Sequence, residues 1–363
     1  MIEFFNAKYY FEIFMDFSVF IVLVTFLHTL LLKLDDFKNI KYLNFMGLFV
    51  LWFSIIYMGL RPISPYFTDM MTYAAHYNRY VQGYPILSQH DIVFHIFMKL
   101  CSQVMSANIF FLLCAFLYIY PMYYISKKFF GKYWFYSFIM FIVSFSFWAY
   151  GVNGIRNGIA TSLFLMAFAY SDKKVLMIFF MISASLFHKT LLLPIVAYIA
   201  TLFHNNPKTY LKVWFIAIPL SLLLGSVWTS LFSNLGFADD RLGYLTGEVD
   251  AKIENLGFRW DFLLYSASAV FAGWYFIFKK GFVDVYYNRL FSIYLIANSF
   301  WILVIKANFS NRFAYISWFM MAIIIIYPLL RQRFFKNQNL VIGKILLIYF
   351  SFTYFMFFIY YAK

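Results

Sequence analysis

The chain has 363 residues, of which 64% are hydrophobic, 25% are aromatic and only 12% are charged, and its mean hydropathy is +0.75. This composition excludes an ordinary water-soluble domain, in which about a quarter of the residues are charged. The net charge of +14 is compatible with nucleic-acid binding, but basic residues beside apolar segments are typical of loops that flank membrane spans. The composition therefore predicts a polytopic membrane protein that contacts membrane lipids and binds no nucleic acid.

Apolar segments long enough to cross a bilayer recur along the whole chain, because about 20 helical residues span the hydrocarbon core. They predict an all-α transmembrane helix bundle of about twelve spans, within a range of about eleven to fourteen. We expect residues 1–363 to form a single integral membrane domain. The predicted spans are 17–34, 43–60, 108–126, 133–150, 155–171, 174–187, 189–203, 213–232, 261–278, 289–306, 313–330 and 341–361.

The first apolar segment is predicted to be a retained anchor. The N-terminal stretch MIEFFNAKYYFEIFMD has neither the basic start nor the small-residue cleavage site of a signal peptide. Cys101 and Cys114 lie in or beside apolar segments and show no CxxC or Cys/His spacing. We therefore expect both cysteines to be packing residues.

Basic residues predict the orientation of the spans. More than half of them become cytoplasmic if the loops after the odd-numbered spans face the cytoplasm, as the positive-inside rule requires. The two longest polar loops, about 61–107 and 233–260, then lie on the outer face, the first with an interfacial helix over 91–105. Three tight turns lie on the same face: GVNGIRNG at 151–158, FHKT at 187–190 and KANFSNR at 306–312.

His188 and Lys189 interrupt an apolar stretch that runs from Val175 to Phe203. This pattern predicts two short helices that meet at a polar edge. Helices of about fourteen residues reach only about 20 Å, so that they tilt, thin the bilayer or form a re-entrant hairpin.

The first outer loop contains Asp69, Tyr73 and Tyr77 at spacings of four residues. On a helix this spacing aligns one carboxylate with a stripe of phenol hydroxyls. The alternative is an amphipathic helix whose tyrosines rest among lipid headgroups, which leaves Asp69 unexplained.

The turn GVNGIRNG places Arg156 at the start of a predicted helix. Its glycines are expected to let the backbone turn tightly, and an arginine there adds to the positive end of the helix dipole. A snorkelling arginine is the alternative. Asn153 and Asn157 favour a binding role, since amides suit sugars and phosphates.

Ionisable residues near predicted helix ends on the outer face form the candidate site, because such groups are costly in a membrane. Arginines suit a diphosphate, and Asp69 or His188 is suited to accept a proton from an attacking hydroxyl. The candidate catalytic residues are Asp69, Arg156 and His188. The candidate substrate-binding residues are Arg61, Tyr73, Tyr77, Asn153, Asn157, Lys189, Arg241, Arg259, Asn311 and Arg312.

The second outer loop leaves a metal site open but does not favour one. Asp239 and Asp240 are adjacent carboxylates, which in an exposed loop are usually solvated rather than bound to a cation. No Walker, Rossmann or GxSxG pattern occurs in a suitable context. We therefore expect no cofactor and no metal.

The order of the polar motifs resembles the EpsG-like and Wzy-like bacterial polysaccharide polymerases over about 50–330. The shared features are a D-x3-Y-x3-Y loop, an arginine in a glycine-rich turn, the sequence FH followed by a polar pair and LLLP, and a late NRF turn. The resemblance implies a multi-pass glycosyltransferase of the cytoplasmic (inner) membrane whose active site faces the periplasm or exterior. Such enzymes polymerise oligosaccharide repeat units that are linked to undecaprenyl diphosphate. The product is the O-antigen of lipopolysaccharide, a capsule or an exopolysaccharide.

The resemblance also implies roles for residues and partners. Arg156 and Arg312 would hold the diphosphate leaving group, Asp69 and Tyr73 would orient or activate the acceptor sugar, and His188 would act near the reacting centre. Donor and acceptor would both be undecaprenyl diphosphate-linked oligosaccharides. A chain-length regulator protein would be a possible further partner.

Three alternatives stay open. An O-antigen ligase uses the same lipid donor but normally has a larger outer loop. A lipid-linked oligosaccharide flippase or transporter places charges near the midplane and often contains inverted repeats, and no repeat is found here. A membrane-bound acyltransferase built around His188 lacks a second motif.

Overall fold

The computed structural model describes residues 6–88, 91–234, 257–307 and 311–360, with the side chains of 226, 229–234, 311 and 360 left out. Within these ranges the chain forms helices and no strand, which confirms the predicted all-α fold class. The helices are α1 (Tyr10–Leu31), α2 (Phe37–Gly59), α3 (Thr68–Val81), α4 (Ile92–Ser102), α5 (Ala107–Phe130), α6 (Trp134–Ile142), α7 (Phe147–Val152), α8 (Ile155–Ala169), α9 (Lys174–Phe187), α10 (Leu192–Phe203), α11 (Pro207–Asn234), α12 (Trp260–Trp274), α13 (Val285–Leu303), α14 (Asn311–Trp318), α15 (Met321–Arg331) and α16 (Gln338–Tyr360).

Seven helical segments of the described residues are long and apolar enough to cross a membrane. They are Ala7–Leu31, Phe37–Gly59, Ala107–Ile142, Pro207–Gly225, Trp260–Lys279, Arg312–Arg331 and Gln338–Ile359. The spans predicted at 155–171, 174–187 and 189–203 correspond to shorter apolar helices. A polytopic bundle is thus confirmed, whereas the number of full-length spans differs from about twelve.

The span predicted at 133–150 is broken into α6 and α7, and a second break separates α7 from α8. Distant side chains satisfy backbone carbonyls at both breaks: Thr353 donates to the Val143 carbonyl at 2.9 Å, and Arg61 donates to the Val152 carbonyl at 3.0 Å. Such compensation is what allows a helix to be interrupted inside a protein bundle. An apolar sequence does not indicate these breaks, since the hydrogen-bond donors lie far away along the chain.

The described residues form two compact units, residues 1–188 with 329–363 and residues 189–328. The prediction of a single membrane domain stays a prediction. In the first unit, α8 packs between α5 and α9, and α5 also packs against α2. The Ser162 hydroxyl of α8 donates to the Tyr118 carbonyl of α5 at 2.6 Å, which fixes the position of α8.

A buried polar network holds the second unit together. The amide of Asn298 on α13 accepts from the Trp214 indole of α11 at 2.7 Å and donates to the Ser317 hydroxyl of α14 at 2.9 Å. The Trp318 indole donates to the Ser266 hydroxyl of α12 at 2.7 Å. Because each polar group finds a partner in the low-dielectric interior, the network orients four helices.

Candidate active site

The predicted helix in the first outer loop is present as α3, and its buried face carries Tyr73, Tyr77 and Tyr80. Asp69 lies in the first turn of α3 and is exposed. The Tyr77 hydroxyl donates to the Met105 carbonyl at 2.7 Å, which gives this tyrosine a packing role. The tyrosines therefore face the protein, not the headgroup belt, and the predicted contact of Tyr77 with substrate stays a prediction.

Arg156 is the second residue of α8, as the sequence predicts for a helix start. The Nη1 atom of Arg156 lies 2.9 Å from a carboxylate oxygen of Asp91, and the guanidinium lies 5.9 Å from the centre of the Tyr73 ring. The Asp91 side chain is 4% exposed and that of Arg156 is 25% exposed. Asp91 is thus an anionic partner of Arg156.

Asp91 immediately precedes α4 and adopts a left-handed conformation, with φ of 47°. Its backbone carbonyl accepts from the amides of Phe94 and His95, so that the residue caps the first turn of α4. A positive φ is uncommon outside glycine, and aspartate is among the residues that tolerate it. The conformation directs the Asp91 carboxylate at the start of α8.

The two asparagines beside Arg156 carry buried acceptors. The side-chain oxygens of Asn153 and Asn157 are inaccessible and have no hydrogen-bond partner among the described residues. Asn157 as a whole is 4% exposed. Both oxygens can therefore accept a hydrogen bond from a hydroxyl or a water, and the predicted binding role of the two asparagines stays a prediction.

The glycines of the GVNGIRNG turn act by close packing, because none of the three has a positive φ. A Cβ on Gly158 would lie 2.7 Å from the Tyr150 carbonyl oxygen, and a Cβ on Gly151 would overlap with the Met58 sulfur of α2. Gly151 and Gly158 therefore let α7, α8 and α2 approach each other closely, while the chain turns between α7 and α8 at Asn153 and Gly154.

Arg61 fastens the end of α2 to the same turn. The side chain is 2% exposed, donates to the Met58 and Val152 carbonyls, and lies over the rings of Phe67 and Phe111 at 5.7 and 5.6 Å. Burial lowers the pKa of Arg61 to about 10, so that the guanidinium stays charged at neutral pH. This geometry gives Arg61 a structural role, and its predicted contact with substrate stays a prediction.

Two histidines and a tyrosine contact each other where α3 packs against α4. The Tyr80 hydroxyl is 2.9 Å from Nδ1 of His95, and the rings of His76 and His95 pack edge to face with centroids 5.3 Å apart. Burial lowers the pKa of His95 to about 4, and the neighbouring His76 and the charge of Arg156 act in the same direction. Burial and the charges of Arg79 and Arg156 also lower the pKa of His76.

His188 lies at the end of α9, as expected for a residue at the edge between two short helices. It is 4% exposed, has an extended backbone, and its amide donates to the Ala184 carbonyl. The neighbouring Phe187 packs against Phe94 and Phe97 of α4, with centroid distances of 6.2 and 5.8 Å. The catalytic role of His188 stays a prediction.

Other predicted site residues belong to the second unit. Lys189 begins a short 3-10 turn and is exposed, and Arg312 is exposed in the first turn of α14, which begins at Asn311. Arg259 precedes α12, where it pairs with Asp261 at 2.6 Å and lies 3.7 Å from the centre of the Phe262 ring. Arg241, Asp239, Asp240 and the Asn311 side chain lie outside the described residues. The predicted roles of these residues stay predictions.

The sequence model of the EpsG family matches residues 47–363, which is most of the chain and includes every site residue named above. The chain belongs to the EpsG family. This family comprises Wzy-like polysaccharide polymerases, and the resemblance seen in the sequence motifs is confirmed. Neither a curated protein nor a solved structure matches the chain significantly.

Three residues of this EpsG-family chain that approach Arg156 are not singled out by the sequence motifs: Asp91, His76 and His95. Asp91 looks like an ordinary helix-capping residue in QHDIVFHIF, and His95 looks like a polar residue of an interfacial helix. Their helical spacing is the available signal. His76 and Tyr80 are four residues apart on α3, and Asp91 and His95 have the same spacing at the start of α4.

Proposed function

We propose that this EpsG-family protein is a membrane glycosyltransferase that polymerises oligosaccharide repeat units carried on undecaprenyl diphosphate. The reaction takes place at the outer face of the bacterial cytoplasmic membrane. It transfers the growing glycan from its lipid diphosphate to a hydroxyl of the next lipid-linked unit, in the synthesis of O-antigen, capsule or exopolysaccharide. Family membership supports the reaction class, and the groups around the start of α8 support the type of ligand.

The observation that carries the proposal is the combination of a cation and two buried acceptors in the same turn. Arg156 supplies guanidinium donors, which suit the oxygens of a diphosphate. The side-chain oxygens of Asn153 and Asn157 lack a partner among the described residues and suit the hydroxyl donors of a sugar. A ligand with a sugar joined to a diphosphate carries both kinds of group.

Charge stabilisation is the main chemical need of this transfer. The diphosphate becomes a free anion as its bond to the anomeric carbon breaks, and fixed positive charge lowers the energy of that transition state. Arg156 at the amino end of α8 adds its charge to the positive end of the helix dipole. The Asp91 carboxylate holds this guanidinium in place before the substrate arrives.

The remaining roles follow the family resemblance. Tyr73, whose ring faces the Arg156 guanidinium, and Asp69, one turn earlier on α3, orient the acceptor sugar. His188 acts near the reacting centre, and Arg312 and Lys189 contribute positive charge. A chain-length regulator is a candidate partner.

Glycan elongation by the purified protein tests this function. We expect protein in nanodiscs to convert a lipid diphosphate-linked oligosaccharide into a ladder of longer lipid-linked products, resolved by gel electrophoresis. A ligase would instead move the glycan onto a different acceptor without a ladder, and a flippase would move the lipid across the bilayer at constant glycan length. Either of those results would replace the proposed reaction.

A further inference from the structure

His76 is placed to serve the reaction, although the sequence motifs do not point to it. It lies on α3, three residues after Tyr73, and faces His95 of α4. The side chain is partly exposed, and no hydrogen-bond partner of its ring nitrogens is found among the described residues. An imidazole that is reachable and not engaged is suited to exchange a proton with a ligand.

The residues around His76 form a connected set. Arg156 contacts Asp91 at 2.9 Å. Asp91 and His95 are four residues apart, at the start of α4. The His95 ring in turn packs against the ring of His76. Tyr73 and His76 are three residues apart on α3, and the Tyr73 ring faces Arg156. The anion-binding guanidinium and the His76 imidazole therefore belong to one cluster.

We propose that His76 is the general base of the polymerisation and that His95, held by the Tyr80 hydroxyl, positions it. This inference rests on the proposed function. A ring nitrogen of His76 accepts the proton of the acceptor hydroxyl while that oxygen forms its bond to the anomeric carbon of the donor. The bond between the anomeric carbon and the diphosphate oxygen breaks, and its electron pair leaves with the lipid diphosphate. The imidazolium then returns the proton to solvent.

The charged and titratable neighbours of His76 determine when it is a base. They are Arg79 and Tyr80 on α3, His95 on α4 and Arg156 on α8. Burial and the two arginines lower the pKa of His76, so that the ring is neutral at physiological pH. A bound diphosphate offsets the charge of Arg156 and raises the pKa of His76 again, which strengthens the base only when the donor is present.

The pH dependence of elongation tests this assignment. Activity falls at low pH because a protonated His76 cannot accept a proton. We expect the acidic limb of kcat to lie at higher pH than that of kcat/KM, since kcat reports the donor complex and kcat/KM the free protein. His76→Gln should lower kcat about a hundredfold or more, abolish that limb and leave KM for the donor nearly unchanged.

Matched variants separate the possible outcomes. His95→Gln and Tyr80→Phe should lower kcat less and move the acidic limb, while His204→Gln, an exposed histidine of the second unit, should match wild type. If wild type elongates glycans while His76→Gln keeps the wild-type kcat and acidic limb, His76 is not the base. Wild-type kcat without an acidic limb would overturn the inference even if the variants fail to fold. A wild-type protein that makes no ladder contradicts the proposed function itself.

Discussion

Arg156→Ala is expected to abolish elongation and to destabilise the protein, and Asp91→Asn in the same chain should restore stability without restoring activity. The two effects have different causes. Removing the guanidinium eliminates the charge that stabilises the leaving diphosphate, which we expect to lower kcat about a thousandfold. It also removes the positive charge that lies 2.9 Å from the buried Asp91 carboxylate, at a cost of about 3–5 kcal/mol.

The double variant distinguishes these effects because it removes both charges of the pair. Asparagine at position 91 keeps the size of the side chain and carries no charge, so that thermal unfolding in detergent should return most of the way to wild type. Elongation should remain as low as in Arg156→Ala. Recovery of activity in the double variant would show that Arg156 serves only to neutralise Asp91, and would contradict its role at the diphosphate.

Arg61→Ala is expected to destabilise the first unit by about 3–5 kcal/mol. The guanidinium is fully buried and donates to two backbone carbonyls, those of Met58 and Val152. The substitution removes both hydrogen bonds and leaves a cavity between the rings of Phe67 and Phe111. The Val152 carbonyl lies at the break before α8, and Arg156 lies in the first turn of α8. We therefore expect the substitution to displace Arg156 as well.

Two further variants specify the cause. Arg61→Met fills the cavity without supplying donors and should recover part of the lost stability, measured as the thermal midpoint in detergent. Arg333→Ala is the matched control, because Arg333 makes an exposed ion pair with Asp35 and such pairs contribute at most about 1 kcal/mol. If Arg61→Ala is as stable as Arg333→Ala, the account of the break between α7 and α8 is wrong.

Local sequence patterns predict much of this architecture. The four-residue spacing in the first outer loop indicates α3, and the glycine-rich turn indicates the start of α8 at Arg156. His188 also lies directly after the last residue of α9, because a polar residue inside an apolar stretch favours a helix end. These features depend only on residues that are close together in the chain, so that they can be predicted from one sequence.

Features that depend on distant residues escape such reasoning. The breaks around α7 occur in an almost uniformly apolar stretch and exist because Thr353 and Arg61 satisfy the interrupted backbone. The ion pair of Arg156 with Asp91 joins helices from separate parts of the chain, and a helix-capping aspartate carries no mark of its partner. Asp69 is conspicuous in the sequence, yet the carboxylate that contacts Arg156 is another.

Binding of a lipid diphosphate to the protein in nanodiscs tests the central claim most directly, namely that the start of α8 is the site of the diphosphate. A fluorescent polyprenyl diphosphate would be titrated against wild type, the stable Arg156→Ala/Asp91→Asn double variant and Arg333→Ala. We expect the double variant to bind about 10- to 100-fold more weakly, because charge-assisted hydrogen bonds to a guanidinium are lost, and Arg333→Ala to bind as wild type does. Equal affinities of the double variant and wild type would contradict the claim.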